Sequence, residues 1–284
     1  MLIGQLTDIH IGFDRANPQE ANLLRLEQTV AHIAALPQRP DLLLLTGDLT
    51  EHGDALSYAR LTAALAPLRV PVWPVPGNHD HRAGLLAAFQ QVRPMAGGFV
   101  QYALDLPGLR VLMLDTLEEG RHGGGFCAAR AAWLAAELAA HPATPTLVAL
   151  HHPPFAAGIA WMDTDPAEPW VARLAEALAG HRQVVMLAAG HVHRPTFTGW
   201  AGVPAMICPS TAPRVALDLR PIAPHAPDGR ALITDEPPAY ALHRWDGARL
   251  VSHVVEVVAA PVLAAFTPAL RPMVAGMFAE RPAG

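Results

Sequence analysis

Cysteine is nearly missing from this chain of 284 residues. Cys127 and Cys208 are the only two and show no CxxC spacing, so neither a disulfide framework nor a thiolate cluster is read, and both are taken as small buried side chains. No cluster of Lys or Arg relieves the formal net charge of -5, which argues against a nucleic-acid groove as the working surface, and no nucleic acid is expected as a partner. A first strand is expected from Leu2, which leaves no room for a basic segment followed by an apolar one. No secretory signal is therefore read, and a cytoplasmic protein is expected. The apolar stretch from Ala259 to Met277 is broken by Pro261, Pro268 and Pro272 and is too interrupted to cross a membrane. Internal repeats and long low-complexity tracts are also lacking.

What is present suits a globular α/β protein. Hydrophobic residues make up 51% of the chain, and no break in composition divides it. One domain is expected over residues 1–258, with the proline-rich segment 213–238 read either as a cap over the site or as a surface excursion without catalytic contact. The apolar tail 259–284 is expected to pack on that domain or on a partner subunit, which would make a homo-oligomer. Leu2 to Leu6 reads as a strand, and Asn17-Pro18-Gln19-Glu20 as the start of a helix running to about Ala35. Asp41 to Leu45 is a continuous apolar run, the pattern of a strand covered on both faces. Helices are expected over Asp54 to Ala66, Leu85 to Gln91, Ala128 to Ala140 and Trp170 to Ala179. Strands are expected over Val100 to Leu106, Arg110 to Leu114, Thr146 to Leu150 and Gln183 to Ala188. Four later runs (Thr196 to Trp200, Val203 to Cys208, Tyr240 to Trp245 and Leu250 to Val257) read as antiparallel strands of a second sheet.

Five apolar runs end in polar residues able to hold a cation: Asp8-Ile9-His10, Gly47-Asp48, Gly77-Asn78-His79-Asp80, His151-His152 and Gly190-His191-Val192-His193. Alternation along a strand would turn Asp8 and His10 to one side. Each pair alone has a plainer reading, since an Asp after a strand is usually a helix cap. Together they supply oxygen and nitrogen donors without a thiolate, which suits Mn, Fe, Co or Zn. One four-coordinate ion would leave about three of Asp8, His10, Asp48, Asn78, His151, His191 and His193 unused. Two divalent transition-metal ions, alike or a mixed pair, sharing Asp48 would use them all.

In the order D-x-H, GD, GNHD, HH, GHxH these motifs resemble the calcineurin-like metallophosphoesterase superfamily over most of the first 195 residues. The resemblance implies a four-layer αββα sandwich of two mixed β-sheets flanked by helices. It places Asp8, His10 and His193 on one ion, Asn78, His151 and His191 on the other, and Asp48 between them. It also implies catalysis by a metal-bridging hydroxide, with His79 binding the phosphoryl oxygens or protonating the departing alkoxide. Asp80 is expected to cap the following helix or orient His79, Asp115 to cap or form a turn, and His152 to support its neighbour.

Departures from sister groups narrow the reading. Gly47-Asp48-Leu49-Thr50-Glu51-His52-Gly53 lacks the Arg of the protein phosphatases, and Glu51 stands where purple acid phosphatases carry a Tyr. Asn78-His79-Asp80 differs from the NRD of lipid A pathway hydrolases. His151-His152-Pro153-Pro154, Met162-Asp163 and Pro209-Ser210-Thr211 resemble the class III cyclic nucleotide phosphodiesterases and the related glycerophosphodiesterases. The expected activity is hydrolysis of a small anionic phosphodiester. A nuclease or broad-specificity phosphatase of the same superfamily, and a non-catalytic scaffold, are the alternatives.

Overall fold

Parallel pairing begins with the first strand. In the computed structural model, which describes residues 1–282, Leu2–Leu6 (β1) is buried at all five positions. Helix α1 (Ala21–Ala34) returns the chain to β2 (Leu42–Thr46), and α2 (Ala55–Leu65) returns it to β3 (Val72–Val75). β1, β2 and β3 pair in parallel, Ile3 opposite Leu42 and Leu43 opposite Val72. Leu23, Leu26, Val30 and Ile33 of α1 and Tyr58, Leu61 and Leu65 of α2 are buried in the same core. A short helix α3 (Arg82–Ala88) follows β3.

The second half contributes β4 (Tyr102–Leu106), β5 (Leu109–Met113), α4 (Ala128–Ala140), β6 (Thr146–Ala149), α5 (Pro169–Leu178), β7 (Val184–Ala189), β8 (Thr196–Trp200) and β9 (Val203–Ile207). They form a six-stranded sheet in the order β4-β5-β6-β7-β9-β8, parallel in its interior and antiparallel at both edges. A ribbon of β10 (Arg214–Val215) and β11 (Ile233–Thr234) precedes β12 (Ala239–Trp245) and β13 (Leu250–Glu256). The last two complete a five-stranded sheet ordered β13-β12-β1-β2-β3. Helix α6 (Arg271–Ala279) lies in the tail.

The period of two along each strand builds the sandwich. Val111, Met113, Leu147 and Ala149 share a core with β1 and β2, while Leu112, Leu114, Val148 and Leu150 pack with Leu134 and Leu138 of α4 and Leu174 and Leu178 of α5. The layers are therefore α1 with α2, the five-stranded sheet, the six-stranded sheet, and α4 with α5. Truncating a residue such as Leu44 to Ala in this core costs about 2–5 kcal/mol. No helix among the described residues is long and apolar enough to cross a membrane.

Two expectations change. The four late strands do not make one antiparallel sheet: β8 and β9 extend the six-stranded sheet, β9 running parallel to β7, and β12 and β13 cover the free edge of β1. Helix α1 starts at Ala21, not at Asn17. The Asn17 side chain accepts from the Gln19 N–H, and the buried Glu20 carboxylate accepts from the N–H groups of Gly12 and Asp14, closing the loop after β1 instead of capping. Among the described residues of the tail, large apolar side chains stay open to water. Val262, Leu263 and Phe266 are exposed, and α6 buries no side chain.

Candidate metal centre

The polar residues follow the carboxyl ends of five parallel strands from both sheets: Asp8 and His10 after β1, Asp48 after β2, Asn78 and His79 after β3, His151 after β6, and His191 and His193 after β7. Sheets of this kind gather ligands at that end. Asp8, His10, Asp48, His191 and His193 all have left-handed backbone, with φ of 51°, 52°, 49°, 73° and 60°. Such geometry costs roughly 1–3 kcal/mol per residue and persists only where the surroundings impose it. Here the Asp8 N–H donates to the Gly47 carbonyl at 3.0 Å and the Ile9 N–H to the Asp48 carbonyl at 2.8 Å, lacing the two loops together. Asp8 and His10 therefore converge through two left-handed turns beyond the end of β1, not through strand alternation.

Donor atoms fall into four overlapping groups, in each of which all lie within 4.8 Å: Asp8 with His10 and His193, His10 with Asp48 and His79, Asp8 with Asp48 and His151, and His151 with His152 and His191. His193 Nε2 is 3.5 Å from Asp8 Oδ1 and 3.2 Å from His10 Nε2. His151 Nε2 is 3.3 Å from Asp48 Oδ2 and 3.3 Å from Asn78 Oδ1. All seven predicted donors are thus brought together.

Three of the imidazoles are oriented from behind. His10 Nδ1 faces Glu51 Oε2 at 2.7 Å, His151 Nδ1 the Thr46 carbonyl at 2.8 Å, and His193 Nδ1 the Pro213 carbonyl at 2.9 Å. A hydrogen bond of this kind fixes the tautomer and leaves Nε2 as the metal-binding atom. His191 differs: its Nδ1 is buried and has no hydrogen-bond partner, a cost that a cation would remove. That orphaned nitrogen, and a donor set of only oxygen and nitrogen, fit divalent transition metals. Gly77 and Gly190 admit the crowding, because a Cβ at Gly77 would run into the backbone N and side chain of Asp48, and one at Gly190 into Thr7 Oγ1 and the Thr46 carbonyl.

Charge follows from burial and proximity. Burial pushes the Asp48 carboxyl up, but His151, His10 and His79 outweigh it and hold the group well below the carboxylate range. Burial likewise raises Glu51, while hydrogen bonds from His10 and His79 bring it down to about 2. The Glu51 hydrogen bond raises His79 to about 9 against its partial burial. His191 and His152 are pushed well below the usual imidazole range, by burial first and by neighbouring histidines second. Neutral imidazole is the form that binds a metal.

His79 donates its backbone N–H to Asp48 Oδ1 at 2.9 Å and lies edge-on to His10, with ring centroids 4.8 Å apart. His152 has both nitrogens engaged, by Thr116 Oγ1 at 2.9 Å and the His122 carbonyl at 3.2 Å, so it braces the cluster. Asp80 neither caps α3 nor touches His79. Its carboxylate accepts from the N–H groups of Leu49, Thr50 and Gly77 and from Tyr58 Oη, tying the β2 loop to the β3 loop. Asp115 makes the expected turn, its Oδ1 accepting from the Leu117 N–H at 3.0 Å, and, fully buried, it also accepts two hydrogen bonds from Arg82 and one from the Val100 N–H.

Two site residues escape sequence reasoning. Glu51 registers there only as a replaced Tyr. His122, in a glycine-rich loop without periodicity, reaches Asn78 at 3.3 Å and lies tilted against His191 with ring centroids 5.0 Å apart. Beside the donors opens a cavity of about 390 Å³, to which Phe13, Trp161, Met162, Val215 and Ile233 contribute.

Comparison with known proteins agrees with this architecture. Residues 1–195 match the Calcineurin-like phosphoesterase family. The chain is 31% identical over 252 residues to a probable glycerophosphodiester phosphodiesterase of Arcobacter nitrofigilis, covering 86% of this chain and 89% of the relative. It is 37% identical over 238 residues to a probable cyclic nucleotide phosphodiesterase of Rhodopseudomonas palustris, covering 81% and 82%. The fold is similar to that of a dimetal phosphatase from Danio rerio, with TM-score 0.66, 18% identity, and 91% of this chain and 96% of that one covered. With the family matched across the segment that carries every candidate donor, the chain belongs to the calcineurin-like phosphoesterases.

Proposed function

We propose that this protein is a metal-dependent hydrolase of small phosphodiesters, in which Asp8, His10 and His193 hold one divalent ion, Asn78, His151 and His191 hold a second, and Asp48 serves both. The observation that carries the reading is the overlap of the donor groups: Asp48 belongs to one with His10 and to another with His151, so its carboxylate stands between two sets. Relatives named for glycerophosphodiesters and for cyclic nucleotides support the substrate class. When bound, a pair of Mn, Fe, Co or Zn ions polarises the phosphoryl oxygens and lowers the pKa of a water to about 7.

The chain's own groups supply the rest. His79 lines the cavity with Glu51 behind it, and in this arrangement it donates a proton to the departing oxygen. Asp48 fixes the His79 backbone, so the acid and the ion pair keep a common register. None of the residues lining the cavity is Arg, and the chain has no Lys. A long polyanion would find no cationic track there, which favours a small diester over a nucleic acid. The retained donor set speaks against a non-catalytic scaffold.

The test is turnover of cyclic AMP, glycerophosphocholine and a phosphomonoester by chelator-stripped protein before and after Mn or Co is restored, with metals quantified in the same sample. Diester hydrolysis that returns with metal is the expected result. A fully loaded protein that hydrolyses no diester, even an activated aryl one, refutes the reading.

We also propose that the tail 259–284 pairs with a second copy of the chain. A helix as short as α6 is marginal alone in water, and it exposes Met273, Met277 and Phe278. Sedimentation of the full chain against one ending at residue 258 decides this, and an unchanged number of subunits refutes it.

A further inference from the structure

We infer that the part of the cavity outside the candidate ligands is a subsite for a flat, uncharged aromatic ester substituent, aryl or nucleobase, and that polyol and quaternary-ammonium headgroups are poorly held there. This rests on the phosphodiesterase reading above. Three segments distant in sequence converge on the subsite: Phe13 from the loop after β1, Trp161 and Met162 from the loop before α5, and Val215 and Ile233 from the β10–β11 ribbon. Phe13 is 72% exposed and Ile233 51% exposed although each lies against the cavity. Large apolar side chains left open to water around a concave site mark a surface meant to be covered by ligand.

The wall is also poor in hydrogen-bonding groups. Ala212 and Pro213 complete it with apolar surface, and the Asn22 side-chain N–H is committed to the His10 carbonyl. The arginines beside the ribbon do not line the cavity and are held by other partners. Arg25 is bound to the Thr211 and Glu236 carbonyls and to Asp235, Arg194 to the Val215 carbonyl and Glu236, and Arg214 to Glu236 and Glu256. A glycerol hydroxyl buried here exchanges water for few partners, the Trp161 indole and the His122 ring among them, and covers less apolar surface than an aromatic face does. A choline cation finds only Glu51 and Asp48 as lining carboxylates, and both are committed, Glu51 to His10 and Asp48 to His79 and His151. The cavity's 390 Å³ falls in the usual range for small-molecule sites.

The metal-loaded full chain, Phe13→Ala and Ile233→Asp are compared on methyl 4-nitrophenyl phosphate and phenyl 4-nitrophenyl phosphate, which share a leaving group and differ only in the retained substituent. Both substituted positions are exposed, so the variants fold. Binding of adenosine, glycerol and choline is measured in parallel by calorimetry. The expected result is an advantage of about tenfold in kcat/KM for the phenyl ester, carried by KM and lost in both variants with kcat kept. Adenosine is expected to bind wild type and to weaken in both variants, with glycerol and choline not detected. Equal kinetics for the two esters, a phenyl preference that survives both substitutions, or choline or glycerol binding as tightly as adenosine overturns the inference. Should no diester be turned over, the phosphodiesterase reading falls, while variant-sensitive adenosine binding still upholds the subsite and its absence still removes it.

Discussion

His243 sets an acid limit on this fold that can be worked out from its neighbours. It is fully buried on β12, with Nε2 3.0 Å from Gln5 Oε1 and Nδ1 2.7 Å from Ser252 Oγ. The Gln5 amide nitrogen donates to Thr46 Oγ1 at 2.9 Å and to the Ala189 carbonyl at 3.1 Å, crossing from one sheet to the other. Its oxygen must therefore accept, so His243 carries its proton on Nε2 and accepts from Ser252 at Nδ1. Burial without an anionic partner brings this imidazole down from 6.5 to about 4. Between those two values the unfolded chain takes up a proton that the folded chain refuses. Stability from this residue is complete above pH 6.5, declines as pH falls toward 4, and levels off below it. At about 1.36 kcal/mol per pKa unit the loss is about 3 kcal/mol. His243→Gln removes the titrating group but leaves the Gln5 amide poorly paired, at a cost of about 1–3 kcal/mol near neutrality. Urea unfolding of both proteins from pH 7.5 to 4 is the assay. His152 and His191 titrate in both and cancel from the difference. The wild-type advantage is expected to shrink by about 3 kcal/mol across the window and to vanish or reverse at its acid end. A difference that stays constant with pH refutes the reasoning.

Three further outcomes follow from the site. Asp48→Asn should release both ions together, because a neutral amide bridges poorly, and full occupancy by metal analysis refutes the shared role. His79→Ala should keep its metal but lose about 10²–10⁴ in turnover on poor leaving groups and much less on activated aryl esters. An equal loss on both argues against an acid role. Gly190→Ala drives a methyl into Thr7 Oγ1 and the Thr46 carbonyl and should cost about 1–3 kcal/mol. An unchanged thermal unfolding midpoint contradicts that close approach.

Much of the fold is legible in the residues because periodicity is a local property. Ala128–Ala140 is the helix that its alanine-rich run predicts, and the strand ends at Gly47-Asp48 and Gly190-His191 lie within a residue or two of expectation. Partners for isolated carboxylates are not local. Asp80 joins Leu49 and Thr50 about thirty residues away, and Asp115 joins Arg82 at a similar separation, so each looks like a cap until the loops are brought together. Glu20 repeats the lesson: its spacing suits a capping box, but the loop after β1 claims its oxygens.

The amino-acid sequence spells out which donors exist and in what order the strands present them, since an apolar run ending in Asp, Asn or His is written in adjacent residues. It determined the chemistry of the site in that sense, oxygen and nitrogen without sulfur. How those donors converge depends on contacts between distant segments. The left-handed turns at Asp8, His10, Asp48, His191 and His193 are imposed by hydrogen bonds between loops, and the division of the late strands between two sheets depends on which edges were open. The enlistment of Glu51 and His122 needed packing as well. Each is a contact between segments far apart along the chain, settled by competition for the same buried space and hydrogen-bond partners.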